Sequence, residues 1–77
     1  MNNPIFTNNS LRKMAQYGLS ESNILDAYNN GSEETWTNGK GYNVVRKYNG
    51  YEIGAAYFRD EKGIYRITSV WKRINRR

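Results

Sequence analysis

The 77-residue chain has no Cys and no His, a single Pro, and no long apolar run. Without Cys there is no disulfide framework, and without Cys or His a zinc or haem site has no usual ligands, so neither a metal nor another cofactor is expected. No stretch approaches the roughly 18 to 20 apolar residues that a membrane span needs, and nothing resembles a signal peptide, so the expected location is cytoplasmic, with no membrane partner. A chain of this length makes one domain, 1–77, near the lower limit for a core that stabilises itself without staples.

What the chain does have is tyrosine, seven residues of it, and positive charge, twelve Lys and Arg against seven Asp and Glu. The charge is uneven. Up to Gly41 three cations stand against four anions; from Tyr42 onward nine stand against three. A basic half interleaved with aromatics is the electrostatic footprint of a nucleic-acid binder or of a protein with an acidic partner.

That basic half, Tyr42 to Lys72, reads as three antiparallel strands. Asn49-Gly50 between two β-rich runs predicts a two-residue hairpin of type I′, which sets Lys47 opposite Glu52, Arg46 opposite Ile53 and Val44 opposite Ala55. Asp60-Glu61-Lys62-Gly63 predicts a type I turn closed by a left-handed Gly, pairing Asp60 with Ile64 and Tyr57 with Ile67. Strand side chains alternate between faces. This register assigns Val44, Tyr48, Tyr51, Ile53, Ala55, Tyr57, Tyr65, Ile67 and Trp71 to a core face, with Arg46 and Ser69. It assigns Lys47, Glu52, Gly54, Ala56, Phe58, Arg66, Thr68 and Lys72 to the opposite, basic face, with Val45 and Val70.

Residues 1–8 read as a loose lead-in that Ile5 and Phe6 staple to a first helix. That helix runs from about Asn9 to Tyr17, with Leu11, Met14 and Ala15 on its apolar face and Gly18 just past its end. Ser20 caps a second helix carrying Ile24, Leu25 and Tyr28, stopped by Asn29-Asn30-Gly31. Glu33 to Thr37 is a candidate first strand, turned by Asn38-Gly39, and residues 74–77 form a basic tail. The expected fold is α+β: two short N-terminal helices packed on one face of a three- to four-stranded antiparallel meander.

Asn9-Ser10-Leu11-Arg12-Lys13-Met14-Ala15-Gln16-Tyr17-Gly18-Leu19-Ser20, with the closing strand Tyr65-Arg66-Ile67-Thr68-Ser69-Val70-Trp71-Lys72-Arg73, resembles a small bacterial domain of unknown function allied to the RelE and BrnT toxins. That family opens His-Ala-x-x-Arg-Met-x-x-Arg-Gly-Ile-Ser and ends its sheet in Ile-x-Thr-Val-Trp or similar. Here Asn9 stands in place of the His, Lys13 in place of the first Arg and Tyr17 in place of the second. The resemblance implies a RelE/BrnT-like fold and, by association, a ribonuclease toxin neutralised by a cognate antitoxin protein.

Cleavage of RNA by its own 2′-OH needs a proton acceptor, stabilisation of a phosphorane and a proton donor. With no His, the sequence offers Glu52 as base and Arg66, Lys47 and Lys72 as the groups that stabilise charge, with Lys or Tyr as acid. Arg66 leads, as an always-ionised fork in mid-strand suited to phosphate. Lys47 and Lys72 flank Glu52 in the expected register, although the same trio serves equally as cross-strand ion pairs. Arg46, Arg73, Arg76 and Arg77 extend the RNA-binding surface; Lys13 and Tyr17, one turn apart, border it or form a solvated helix face. Arg46 falls on the aromatic face, where either it stacks on Tyr48 or Tyr51 at the sheet's rim or the register is wrong. Trp71 and Tyr57 read as core rather than as platforms for bases. The expected activity is a metal-independent endoribonuclease; the alternative is a non-enzymatic module that binds nucleic acid or an acidic protein with the same surface.

Overall fold

A computed structural model describes residues 4–74. Its elements are β1 (Ile5–Phe6), α1 (Asn8–Tyr17), α2 (Glu21–Asn30), β2 (Ser32–Thr35), β3 (Tyr42–Lys47), β4 (Tyr51–Arg59) and β5 (Tyr65–Ile74). The two helices pack on one face of a five-stranded sheet of order β1-β5-β4-β3-β2, antiparallel except where β1 runs parallel to β5. This α+β arrangement is consistent with a RelE-like topology. Neither helix is long and apolar enough to cross a membrane.

The lead-in is the first correction. Ile5 and Phe6 pair with Arg66 and Ile67, so residues expected to be loose form an edge strand of a mixed sheet. Thr7 then does two jobs. Its backbone N–H and its hydroxyl both donate to the Ile67 carbonyl, at 3.1 and 3.0 Å, while its Oγ1 accepts from the Ser10 N–H and caps α1. With its start tied to β5, α1 buries Ser10 and Met14, one turn apart; Leu11, expected inside, is 42% exposed. At the other end Gly18 adopts φ 69°, and the Leu19 N–H returns to the Met14 carbonyl at 2.8 Å, the Schellman closure that a Gly just past a helix permits.

Ser20 opens α2 in a reciprocal cap with Asn23, and Ile24 and Ala27 are fully buried. Gly31 ends the helix in extended rather than left-handed backbone. It is Gly because β3 passes so close that a Cβ would stand 2.7 Å from the Val45 carbonyl oxygen.

The hairpin of β3 and β4 has the expected register, Lys47 with Glu52 through Val44 with Ala55, but not the expected turn. Only Gly50 has positive φ, 91°, and Asn49 does not, which is the requirement of type II rather than type I′. Tyr57 pairs with Ile67 as expected, and Gly63 is left-handed.

One residue further, β5 departs from expectation. Ala56 pairs with Ser69 while its neighbour Tyr57 pairs with Ile67, so Thr68 is an extra residue, a β-bulge. The Thr68 hydroxyl donates to the Ala56 carbonyl at 3.3 Å, and the Asn9 side chain donates to the Thr68 carbonyl at 2.8 Å. Every side chain beyond the bulge is therefore on the opposite face from the one assigned above. Val70 enters the core at 1% exposure, Lys72 moves to the helix side, and Trp71 moves out to lie over Gly54, where a Cβ would meet its ring at 2.2 Å. Val70 is the better core residue for this thin layer, and Trp71 fits only where its neighbour has no side chain. The core comprises Met14, Ile24, Ala27, Val44, Ile53, Ala55, Tyr57, Ile67 and Val70.

Candidate nucleic-acid interface

Most of the sheet's cations collect at one end instead of over one face, with Arg59 and Arg66 at the other end. Two adjacent rungs carry four of them: Arg46, Ile53 and Lys72 in one, Lys47, Glu52 and Arg73 in the next. Strand alternation sends Arg46 and Lys72 to the helix side and Lys47 and Arg73 to the outer side, so the end of the sheet next to the Asn49-Gly50 turn is basic on both faces.

On the helix side, Tyr48 and Tyr51 stack across the hairpin, centroids 4.9 Å apart and planes 12° from parallel. Arg46 lies 5.2 Å from the Tyr48 centroid and the Lys72 ammonium 5.0 Å from that of Tyr51. Cations on ring faces gain from the ring quadrupole, which accounts for Arg46 on an otherwise apolar face. Asp26 of α2 completes the group, accepting from Arg46 and from the Tyr48 hydroxyl, each at 2.5 Å, and from Asn30 at 2.9 Å. The Tyr48 hydroxyl, with Asn30 and Arg46, holds the Asp26 carboxyl below its ordinary pKa despite partial desolvation. Burial, then the hydrogen bond to Asp26, pushes the Tyr48 phenol up.

On the outer side, Glu52 is only 9% exposed, between Lys47 on one neighbouring strand and Arg73 on the other. Arg73 reaches it at 3.6 Å from a largely exposed position. Trp71, half-buried over Gly54, lines a groove with Lys47, Glu52 and Arg73, and Glu33 and Glu34 of β2 line it as well. Among the described residues neither Lys47 nor Lys72 has a carboxylate partner.

Of the residues singled out from the sequence, Lys47, Glu52 and Arg73 come together. Lys72 is nearby but on the other face. Arg66 is on the outer face as expected, yet it pairs with Phe58, six residues along β4 from Glu52, or about 20 Å. Its Nε donates to Asp60 at 2.9 Å, and Asp60 also accepts from the Lys62 and Ile64 N–H groups, so Arg66 clamps the β4–β5 turn. The Ile64 N–H is the largest influence holding Asp60 below its ordinary pKa, with Arg66 assisting. Lys13 and Tyr17 are half-buried on α1, alongside the Ser10–Met14 row. Asn9 is occupied structurally, donating to the bulge and accepting from Arg12 at 2.9 Å. Arg76 and Arg77 lie outside the described residues.

Sequence reasoning missed two members of this region. Asp26 was signalled only by an arginine on an apolar face that needed a partner. Trp71, assigned to the core, was signalled by Gly54, a lone glycine inside a strand, which marks close approach. No protein-family model matches the chain, and no characterised protein or solved structure is significantly similar to it. The chain has a small α+β fold, two N-terminal helices on a mixed five-stranded sheet, with four cations and three half-buried aromatics gathered at one end of it.

Proposed function

We propose that this chain is an RNA-binding protein of RelE/BrnT-like type, which holds single-stranded RNA at the basic end of its sheet. The observation that carries the reading is the placement of Arg46, Lys47, Lys72 and Arg73 on two neighbouring rungs beside Trp71, which packs over Gly54 on the outer side and lines the groove there. Phosphates run past ammonium and guanidinium groups while a base stacks on the indole, a combination that tolerates many sequences. Arg66 lies outside this surface. Binding of a fluorescent single-stranded RNA, followed across a salt series, tests the reading. Each phosphate contact contributes a slope of about 0.7 in log K against log salt, so Lys47→Ala with Arg73→Ala should lower the slope by about 1.4, and Arg66→Ala should leave it unchanged. Equal slopes for all three proteins would reject the interface.

A second reading, that the protein cleaves the RNA it binds and acts as a toxin held in check by an antitoxin, is favoured by one feature: Glu52, nearly buried and flanked in its own rung by Lys47 and Arg73, brings a carboxylate base and charge stabilisers to one place. Incubation with total RNA in the presence of EDTA distinguishes the two. Cleavage that disappears in Glu52→Gln supports the enzyme; retention of intact RNA supports the binder.

A further inference from the structure

A second aromatic group occupies the helix side of the sheet, four residues along β4 from the Arg46 rung, or about 13 Å. Tyr57, 4% exposed, is its centre. Tyr42 stacks on it at 5.2 Å and 25°, and Tyr28 and Tyr65 meet it edge-on at 4.9 and 5.8 Å. The four rings come from α2, β3, β4 and β5, and with Asn29 and Glu33 they line a cavity of about 300 Å³, open to solvent. Glu33, from edge strand β2, accepts the Tyr57 hydroxyl. Burial, above all, raises the pKa of both Tyr28 and Tyr57, so these phenols are neutral at physiological pH and present uncharged, electron-rich rings.

The basic end supplies an internal precedent. There a carboxylate accepts a tyrosine hydroxyl, Asp26 from Tyr48, while Arg46 sits over the same ring. Around Tyr57 the carboxylate and hydroxyl recur, but among the described residues no Lys or Arg lies over any of the four rings. We propose that the cavity binds an alkylammonium group, seated against the rings of Tyr28, Tyr42 and Tyr65, which the buried Tyr57 holds together, with Glu33 as its counter-charge. A carboxylate in the lining disfavours anions, and a single carboxylate among phenols is a poor site for Mg²⁺ or Ca²⁺, which need several oxygen ligands. A desolvated organic cation is what ring faces recognise best. The same chemistry is offered by a free quaternary amine and by a methylated lysine in a partner protein.

The experiment is a titration of the full chain, followed by NMR of the tyrosine rings, with choline, with its neutral isostere 3,3-dimethylbutan-1-ol, and with a short peptide carrying one trimethyllysine. Choline is expected to saturate with shifts confined to these tyrosines and to bind about tenfold more tightly than the isostere. Glu33→Gln, which keeps an acceptor for the Tyr57 hydroxyl, and Tyr65→Ala, at a position 37% exposed, are each expected to weaken choline about tenfold with native tyrosine spectra otherwise retained. A peptide that binds more tightly than choline identifies a protein side chain as the source, and one that binds no better identifies a free amine. Equal binding of choline and the isostere, or no saturable shift with either cation, overturns the proposal.

Discussion

The two ends of the sheet are built from the same parts and differ in what completes them. At each, tyrosines cluster on the helix side and a carboxylate accepts a hydroxyl: Asp26 from Tyr48 beside the Asn49-Gly50 turn, Glu33 from Tyr57 at the far end. Beside the turn, the protein's own Arg46 and Lys72 lie over the rings, and there a polyanion is proposed to bind. At the other end no side chain of that kind covers the rings among the described residues, and there a cation is proposed to bind. On these two proposals the charge placed over the rings, and not the tyrosine cluster itself, decides what is bound.

The difference rests on Thr68, because the bulge is what sends Lys72 to the rings and Trp71 outward. Val70→Asp is accordingly the largest test. The bulge turns this side chain into the core, so the variant buries an unpaired carboxylate and should lose more than about 3 kcal/mol of stability, read by chemical denaturation, whereas in an unbulged strand the same position would face outward and tolerate the change. Gly54→Ala is narrower. Its new methyl collides with the Trp71 ring and should cost about 1 to 3 kcal/mol, with a change in tryptophan fluorescence, while leaving the tyrosine cavity able to bind choline.

Asp26→Asn has the smallest effect and the clearest pH signature. Because folding depresses the Asp26 pKa below its ordinary value of 3.8, the ionised carboxylate contributes stability that is fully present above that value and is lost as pH falls through the folded pKa. The variant should be less stable than the parent at neutral pH, and the gap between their denaturation midpoints should narrow as the pH is lowered past 3.8. A gap that stays constant from pH 7 to pH 2 removes Asp26 from its role as the anchor of Arg46.

The residues explain how much of this could be read in advance. The β3–β4 register was legible because Asn49-Gly50 allows only a two-residue reversal, and the pairing survives a change of turn type. The start of β5 was legible from Asp60 and Gly63 for the same reason. The rest of β5 was not, since Thr68 bulges without a Gly or Pro to mark it, and its supports, Asn9 and Ala56, are distant in sequence. Lys47 and Glu52 could therefore be placed from the hairpin, whereas the faces of Lys72 and Arg73 could not, and the ion pair of Arg66 went unforeseen because its partner Asp60 was read only as a turn residue. β1 was hidden for a related reason: a two-residue strand carries no periodicity, and its pairing joins residues about 60 positions apart.

That pairing governs the order in which the molecule can be assembled during synthesis. β5 emerges from the ribosome after every other element, yet it lies between β1 and β4 and supplies the surface on which α1 rests. Until Tyr65 onward is available, β1 has no neighbour and the first helix no seat, so a nascent chain stalled at the β4–β5 turn should expose both to proteases and chaperones.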